Sequence, residues 1–181
     1  DHQTFSTMSL SLHEGNPGHH FQLTYANDVK LPDFVTYCGD ETSYVEGWAL
    51  YCESLTHDFL KESGKKKDIM YRYGCYNYEM MRACRLVVDT GIHYYGWNFK
   101  KCFDFMRKYT SFSDNEIEVE IYRYSTYAAQ ALSYKIGEMK FQELRKYFLK
   151  NKKGSLKDFH KLVLENGACS LDLLEKLVIN Y

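Results

Sequence analysis

The sequence predicts a mostly α fold, on three observations. Both prolines, Pro17 and Pro32, lie near the start, and the rest of the chain is free of them, which suits long helices. Apolar residues recur at helical spacing, most clearly Ile69, Tyr73, Tyr76, Met80, Ala83 and Val87, one stripe of a helix. Capping signatures punctuate the second half. Ser113 with Glu116 reads as a capping box, and Ser155 with Asp158 as a weaker one.

Element by element, residues 34 to 38 alternate in polarity and read as a short strand. Val45, Trp48, Ala49 and Cys52 give the next segment an apolar helical face. Gly64 to Lys67 reads as a solvated basic turn, as does Lys150 to Gly154. The stripe from Ile69 follows, then the helix opened by Ser113. Gln130 to Gly137 is helical and is expected to end near Gly137. The helix opened by Ser155 stops at Asn166-Gly167. Ser170 caps a last one carrying Leu171, Leu174 and Leu177. Most of the 17 tyrosines belong to core or rim packing.

Composition narrows the function classes. Across 181 residues, 45% are apolar and 26% charged, which is globular. A net charge of -1 argues against nucleic acid as a partner, since duplex binders carry a basic stripe. No run approaches the ~18 apolar residues of a membrane span. Six cysteines stand without a CxxC pair, against a zinc ribbon or thioredoxin-type site. Their even number permits disulfides, while buried free thiols suit Cys52 and Cys84. The chain opens on Asp1, as a processed chain or a fragment would. There is no GxSxG elbow, phosphate loop or Glu-x-x-His pair.

Chemistry concentrates in His13-Glu14-Gly15-Asn16-Pro17-Gly18-His19-His20. The run is similar to HExxH, whose histidines bind zinc one turn apart, but Pro17 stands where the second histidine should be. On one continuous helix His19 is rotated about 240° from His13, and His20 stands about 10.5 Å along the axis. A shared metal therefore needs a break, which Gly15, Pro17 and Gly18 allow. The alternative is a solvated polar turn. Glu46 sits beside an apolar helical face and needs a partner. It suits a third metal ligand or a surface salt bridge. Glu53, seven residues on, shares its side of the helix. Arg85, Asp89 and His93 form one polar stripe, able to bind a carboxylate or an oxyanion, or to form a buried ion-pair network. Tyr134 by spacing alone is a core or rim residue.

Together these segments resemble the C-terminal part of the domain-of-unknown-function family 885, a group of zinc-peptidase-like proteins. The matching runs are HEGNPGHHFQ at 13–22, YVEGWALYCE at 44–53, RACRLVVDTGIHYYGW at 82–97, RYSTYAAQALSYKIG at 123–137 and FHKLVLENGACSLDLLEKLV at 159–178. The resemblance implies a helical, zincin-like fold related to gluzincins, with residues 1–181 as one region of a longer catalytic domain. It implies His13, His19 and Glu46 as ligands of Zn2+, with His19 or His20 open as the second histidine. It implies Glu14 as general base and Tyr134 as an oxyanion donor. His93 and Arg85 match polar positions of the third run. The chain departs from the family at Ala128-Ala129, where Pro-Gly is usual, and family members are much longer. The expected function is zinc-dependent hydrolysis of a peptide or small amide, carboxypeptidase-like if Arg85 anchors a substrate carboxylate. A missing N-terminal portion would then be needed to complete the cleft. The competing expectation is a non-catalytic helical binding module.

Overall fold

A computed structural model describes residues 4–39, 41–63 and 69–181. Every regular element among them is helical. After a 3-10 turn (Thr4–Ser6) come α1 (Thr7–Glu14), α2 (His19–Asp28), α3 (Asp33–Cys38), α4 (Thr42–Ser54) and α5 (Thr56–Ser63). Then follow α6 (Ile69–His93), α7 (Phe99–Tyr109), α8 (Asp114–Thr126), α9 (Gln130–Asn151), α10 (Leu156–Glu165) and α11 (Leu171–Ile179).

The central event is the packing of α4 on α9. They cross glycine against glycine: a Cβ on Gly47 would stand 2.5 Å from the Gly137 Cα, and one on Gly137 would stand 2.0 Å from the Ser43 carbonyl oxygen. Gly137 is therefore a crossing point in mid-helix, and α9 runs on to Asn151 instead of ending near it. Two apolar cores flank this crossing. In one, Trp48 and Tyr51 of α4 meet Phe141 and Phe148 of α9, Phe159 of α10 and Leu174 of α11. In the other, Val88 of α6 meets Cys102 and Met106 of α7, Ile117 and Ile121 of α8 and Ala131 of α9. At about 1.5–3 kcal/mol for each large side chain, these cores are the main attractive contribution to folding. Helix α1 packs against both α4 and α6, where it carries polar side chains.

The caps form as the spacing predicts. Ser113–Glu116 and Ser155–Asp158 are both complete capping boxes, and the Ser170 side chain accepts from the Leu173 amide. Two more expectations change. Residues 34–38 lie in α3, not a strand: the Pro32 carbonyl accepts from the Val35 and Thr36 amides, and a five-residue alternation is too short to fix a period. The stripe Ile69, Tyr73, Tyr76, Met80 and Val87 is exposed. Helix α6 instead buries Cys75, Met81, Arg82, Cys84, Arg85, Val88 and Asp89, because carboxylates on α4 and α8 receive its arginines. Cys52, Cys75, Cys84, Cys102 and Cys169 are free thiols, so the disulfide alternative fails for these five. The expected turn at 64–67 lies outside the described residues. Among those described, no helix is long and apolar enough to cross a membrane.

Candidate metal centre

The histidine run breaks where glycine and proline allow it. Helix α1 ends at Glu14 and α2 begins at His19. Between them the Asn16-Pro17 peptide is cis, and the Pro17 carbonyl accepts from the Trp48 indole at 2.8 Å, which ties the break to α4. Gly18 presses onto the end of α1: a Cβ there would lie 1.9 Å from the His13 carbonyl oxygen and 2.3 Å from that of Leu12. No other residue fits so close an approach. The fold-back brings the His19 ring to 4.8 Å from the His13 ring, at 90°.

Glu46 on α4 completes the group. Its Oε2 stands 3.5 Å from His13 Nε2 and 3.3 Å from His19 Nε2, and the three ligand atoms lie within 4.8 Å of one another. Donors held about 2.0–2.1 Å from a tetrahedral zinc are about 3.4 Å apart, close to these two edges. Neither contact has hydrogen-bond geometry, so Glu46 Oε2 is buried without a hydrogen-bond partner. A buried lone pair left this way is costly, and a cation would satisfy it. Burial pushes the Glu46 carboxyl up, but His13, His19 and the Tyr134 hydroxyl outweigh it and hold the group well below the usual carboxylate range.

A second layer fixes His13. Its Nδ1 lies 2.7 Å from Glu53 Oε1, which turns Nε2 toward Glu46. Glu53 also accepts from the Ser9 hydroxyl, one turn before His13 on α1, and stands 3.3 Å from the Arg82 guanidinium. Burial raises Glu53, yet Arg82, His13 and Ser9 together lower it. Burial lowers His13, while Glu46 and Glu53 prevail and raise it. A carboxylate behind a histidine in this way is how metal-binding imidazoles are held.

The other candidates fall at different distances from this group. Tyr134 is buried, its ring stacked on His13 with centroids 6.4 Å apart. Its hydroxyl oxygen accepts from Arg123 Nη2 at 3.0 Å and Gln130 Nε2 at 3.2 Å. With both lone pairs taken, its proton is what it can turn toward Glu46. Glu14 is an exposed carboxylate beside His13. His20 is exposed and lies outside the converging group.

His93 is placed elsewhere. Its Nε2 lies 2.8 Å from the Tyr124 carbonyl in the last turn of α8, where helix carbonyls lack partners. Arg85 pairs with Glu120, at 2.8 Å from Nη2, and not with Asp89. Its Nε also donates to the Tyr124 hydroxyl at 3.0 Å, and its guanidinium lies over the Tyr134 ring at 4.6 Å. Burial opposes the Arg85 charge, but Tyr124 and Glu120 raise its pKa regardless. Asp89 accepts from the Ala129 amide at 3.1 Å. Neighbours on one helix thus reach for partners on others. Spacing on α4 marks Glu53 but not its partners, and nothing local marks Ser9, Arg82, Arg123 or Gln130.

Residues 1–178 match the model of a family described as bacterial protein of unknown function, DUF885. The chain belongs to that family. Among solved structures it is similar to a protein from Colwellia psychrerythraea described as a putative lipoprotein, with 34% identity and a TM-score of 0.90. It is also similar to one from Shewanella oneidensis described as a putative lipoprotein of unknown function, with 25% identity and a TM-score of 0.85. Both matches cover 98% of this chain, which spans 30% and 32% of those two proteins. Comparison with curated proteins finds no match.

Proposed function

We propose that this DUF885 chain carries the zinc centre of an amide hydrolase, most simply a metallopeptidase, with His13, His19 and Glu46 as ligands. The observation that carries the reading is the convergence of these three ligand atoms around a buried, unpartnered Glu46 Oε2. Two histidines and a carboxylate with one open position are a catalytic zinc donor set. Zinc bound there supplies Lewis acidity and lowers the pKa of a water to about 7.

The chain's own residues supply the rest. Glu14, next to His13 and exposed, takes the proton of the attacking water and passes it to the leaving amine. Tyr134, turning its proton from Glu46 to the substrate, stabilises the charge that develops on the substrate carbonyl oxygen. Glu53 holds the His13 ring in orientation. His93, whose Nε2 lies on the Tyr124 carbonyl, is given no step in this reading. The chain spans under a third of the two longer proteins. The exposed stripe of Ile69, Tyr73, Tyr76, Met80 and Val87 on α6 suits a surface that further polypeptide covers.

Mass-spectrometric metal analysis tests the reading on the purified chain and its His13→Ala and Glu46→Ala variants. About one zinc per chain, lost in both variants, is expected. A folded chain that takes up no zinc would overturn the centre and leave the helical binding module. Given zinc, loss of peptide hydrolysis in Glu14→Gln with zinc retained separates a hydrolase from an inert metal site.

A further inference from the structure

Three arginines surround Tyr134, and they are not equivalent. Arg82 and Arg85 lie with their guanidinium carbons 5.9 and 4.6 Å from its ring. Both are buried, and each has a carboxylate of its own, Glu53 for Arg82 and Glu120 for Arg85. Arg123 differs on every count. Its side chain is 42% exposed. Its hydrogen bonds go to neutral partners, the Tyr134 hydroxyl at 3.0 Å and Gln130 Oε1 at 3.3 Å. Among the described residues its one carboxylate contact is Glu120 Oε1 at 3.7 Å. Arg85 and the Tyr124 hydroxyl both bond the other oxygen, Oε2, so Arg123 shares Glu120 with Arg85 across a longer gap.

Arg82 and Arg85 each hold a carboxylate at 3.3 Å or closer. Among the described residues Arg123 is the one of the three with no carboxylate at hydrogen-bond distance, and its side chain is part open to solvent. It reaches the metal group through Tyr134, whose hydroxyl accepts from Arg123 and whose ring stacks on His13 with centroids 6.4 Å apart. Burial and pairing keep Arg85 from that task.

The geometry points to Arg123, supported by Gln130, as the anchor for a free carboxylate on the substrate, so that the site takes peptides or N-acylamino acids with an unblocked C-terminus close to the amide that reacts. This rests on the zinc reading for which bond is cut, but the anchor itself is read by binding. A guanidinium suits the task because it can meet a carboxylate with two parallel hydrogen bonds. The amide Nε2 of Gln130, now on the Tyr134 hydroxyl, offers a further donor beside it.

Isothermal titration calorimetry tests the anchor, with N-benzoylglycine and its neutral amide as probes. Both are titrated into zinc-loaded and metal-free protein, with zinc content measured on the same samples. The acid should bind about tenfold more tightly than the amide, as expected for a hydrogen bond to a charged group. Arg123→Gln should abolish that preference, and Arg123→Lys should retain part of it. Circular dichroism checks that both variants fold, which the exposure of Arg123 favours. Equal binding of acid and amide, or a preference that survives in Arg123→Gln, would overturn the anchor. A carboxylate preference without zinc uptake supports the anchor and fails the zinc centre. Zinc uptake without the preference does the reverse.

Discussion

Trp48 and Glu53 stand on the same helix, α4, and each is 1% exposed, yet they are buried by opposite means. Trp48 lies among Tyr51, Phe141 and His160, with ring centroids 5.6 to 5.8 Å away, and its indole N–H is satisfied by the Pro17 carbonyl. Glu53 is surrounded by donors, from His13, Ser9 and Arg82. The aromatic side is additive: each contact is weak, and neighbours can shift to absorb a change in shape. The polar side is a closed network, where losing one charge strands the others in a place water cannot reach. Stability is distributed over the first side, and orientation of the metal group is concentrated in the second.

Substitutions that keep shape sharpen this contrast. The largest effect is expected for Glu53→Gln, which leaves Arg82 without its buried counter-charge. Breaking such a pair costs about 3–5 kcal/mol, read as a lower urea midpoint. Zinc affinity should also fall about 10- to 100-fold with the lost support of His13. A loss under about 1 kcal/mol would show that the network is not closed.

The next effect separates the two sides by pH. Burial, aided by Arg145, lowers the His160 pKa to about 4, from an unfolded value of about 6.5. The unfolded chain then takes up a proton that the folded chain refuses. His160's contribution is neutral above about 6.5, turns against folding as pH falls, and levels off below about 4, reaching at most about 3 kcal/mol before solvent screening. Melting temperatures of wild type and His160→Gln should therefore diverge between pH 6.5 and 4, with wild type losing more. Parallel curves would remove His160 from the balance.

Leu144→Met in the aromatic core should cost less than about 1.5 kcal/mol and leave zinc uptake unchanged, as zinc titrations on the variant would show. A loss as large as that of Glu53→Gln would erase the contrast. The smallest effect is a gain. Ala129 opens α9 with φ +68, a left-handed conformation that costs an ordinary residue about 1–2 kcal/mol. Ala129→Gly removes that cost but adds freedom to the unfolded chain. Chemical denaturation should show a net gain of up to about 1 kcal/mol.

The parts of this molecule that are legible in sequence are those fixed by neighbours along the chain. Ser113 with Glu116 and Ser155 with Asp158 close boxes three residues wide, so their patterns suffice. The break between His13 and His19 is legible for the same reason, because Pro17 and two glycines prevent one continuous helix. Residues 34–38 mislead because five positions fit two periods. The α6 stripe is legible as a helix, but not its buried face, because Arg82, Arg85 and Asp89 are buried by partners far away in sequence. Glu53 announces a need for a partner, but only the docking of α1 supplies His13 and Ser9. Arg123 carries no local signal at all, since its distinction, an exposed guanidinium on the Tyr134 hydroxyl, exists only in three dimensions.

The crossing of Gly47 on Gly137 has a bearing on the site that neither glycine reveals alone. Glu46 precedes the first, and Tyr134 stands one turn before the second. The gap between a candidate ligand and the hydroxyl beside it is thus gauged by backbone resting on backbone, with no side chain as a shim. A single methyl group at either glycine would act as a wedge, altering the clearance at the site while leaving every reactive residue in place.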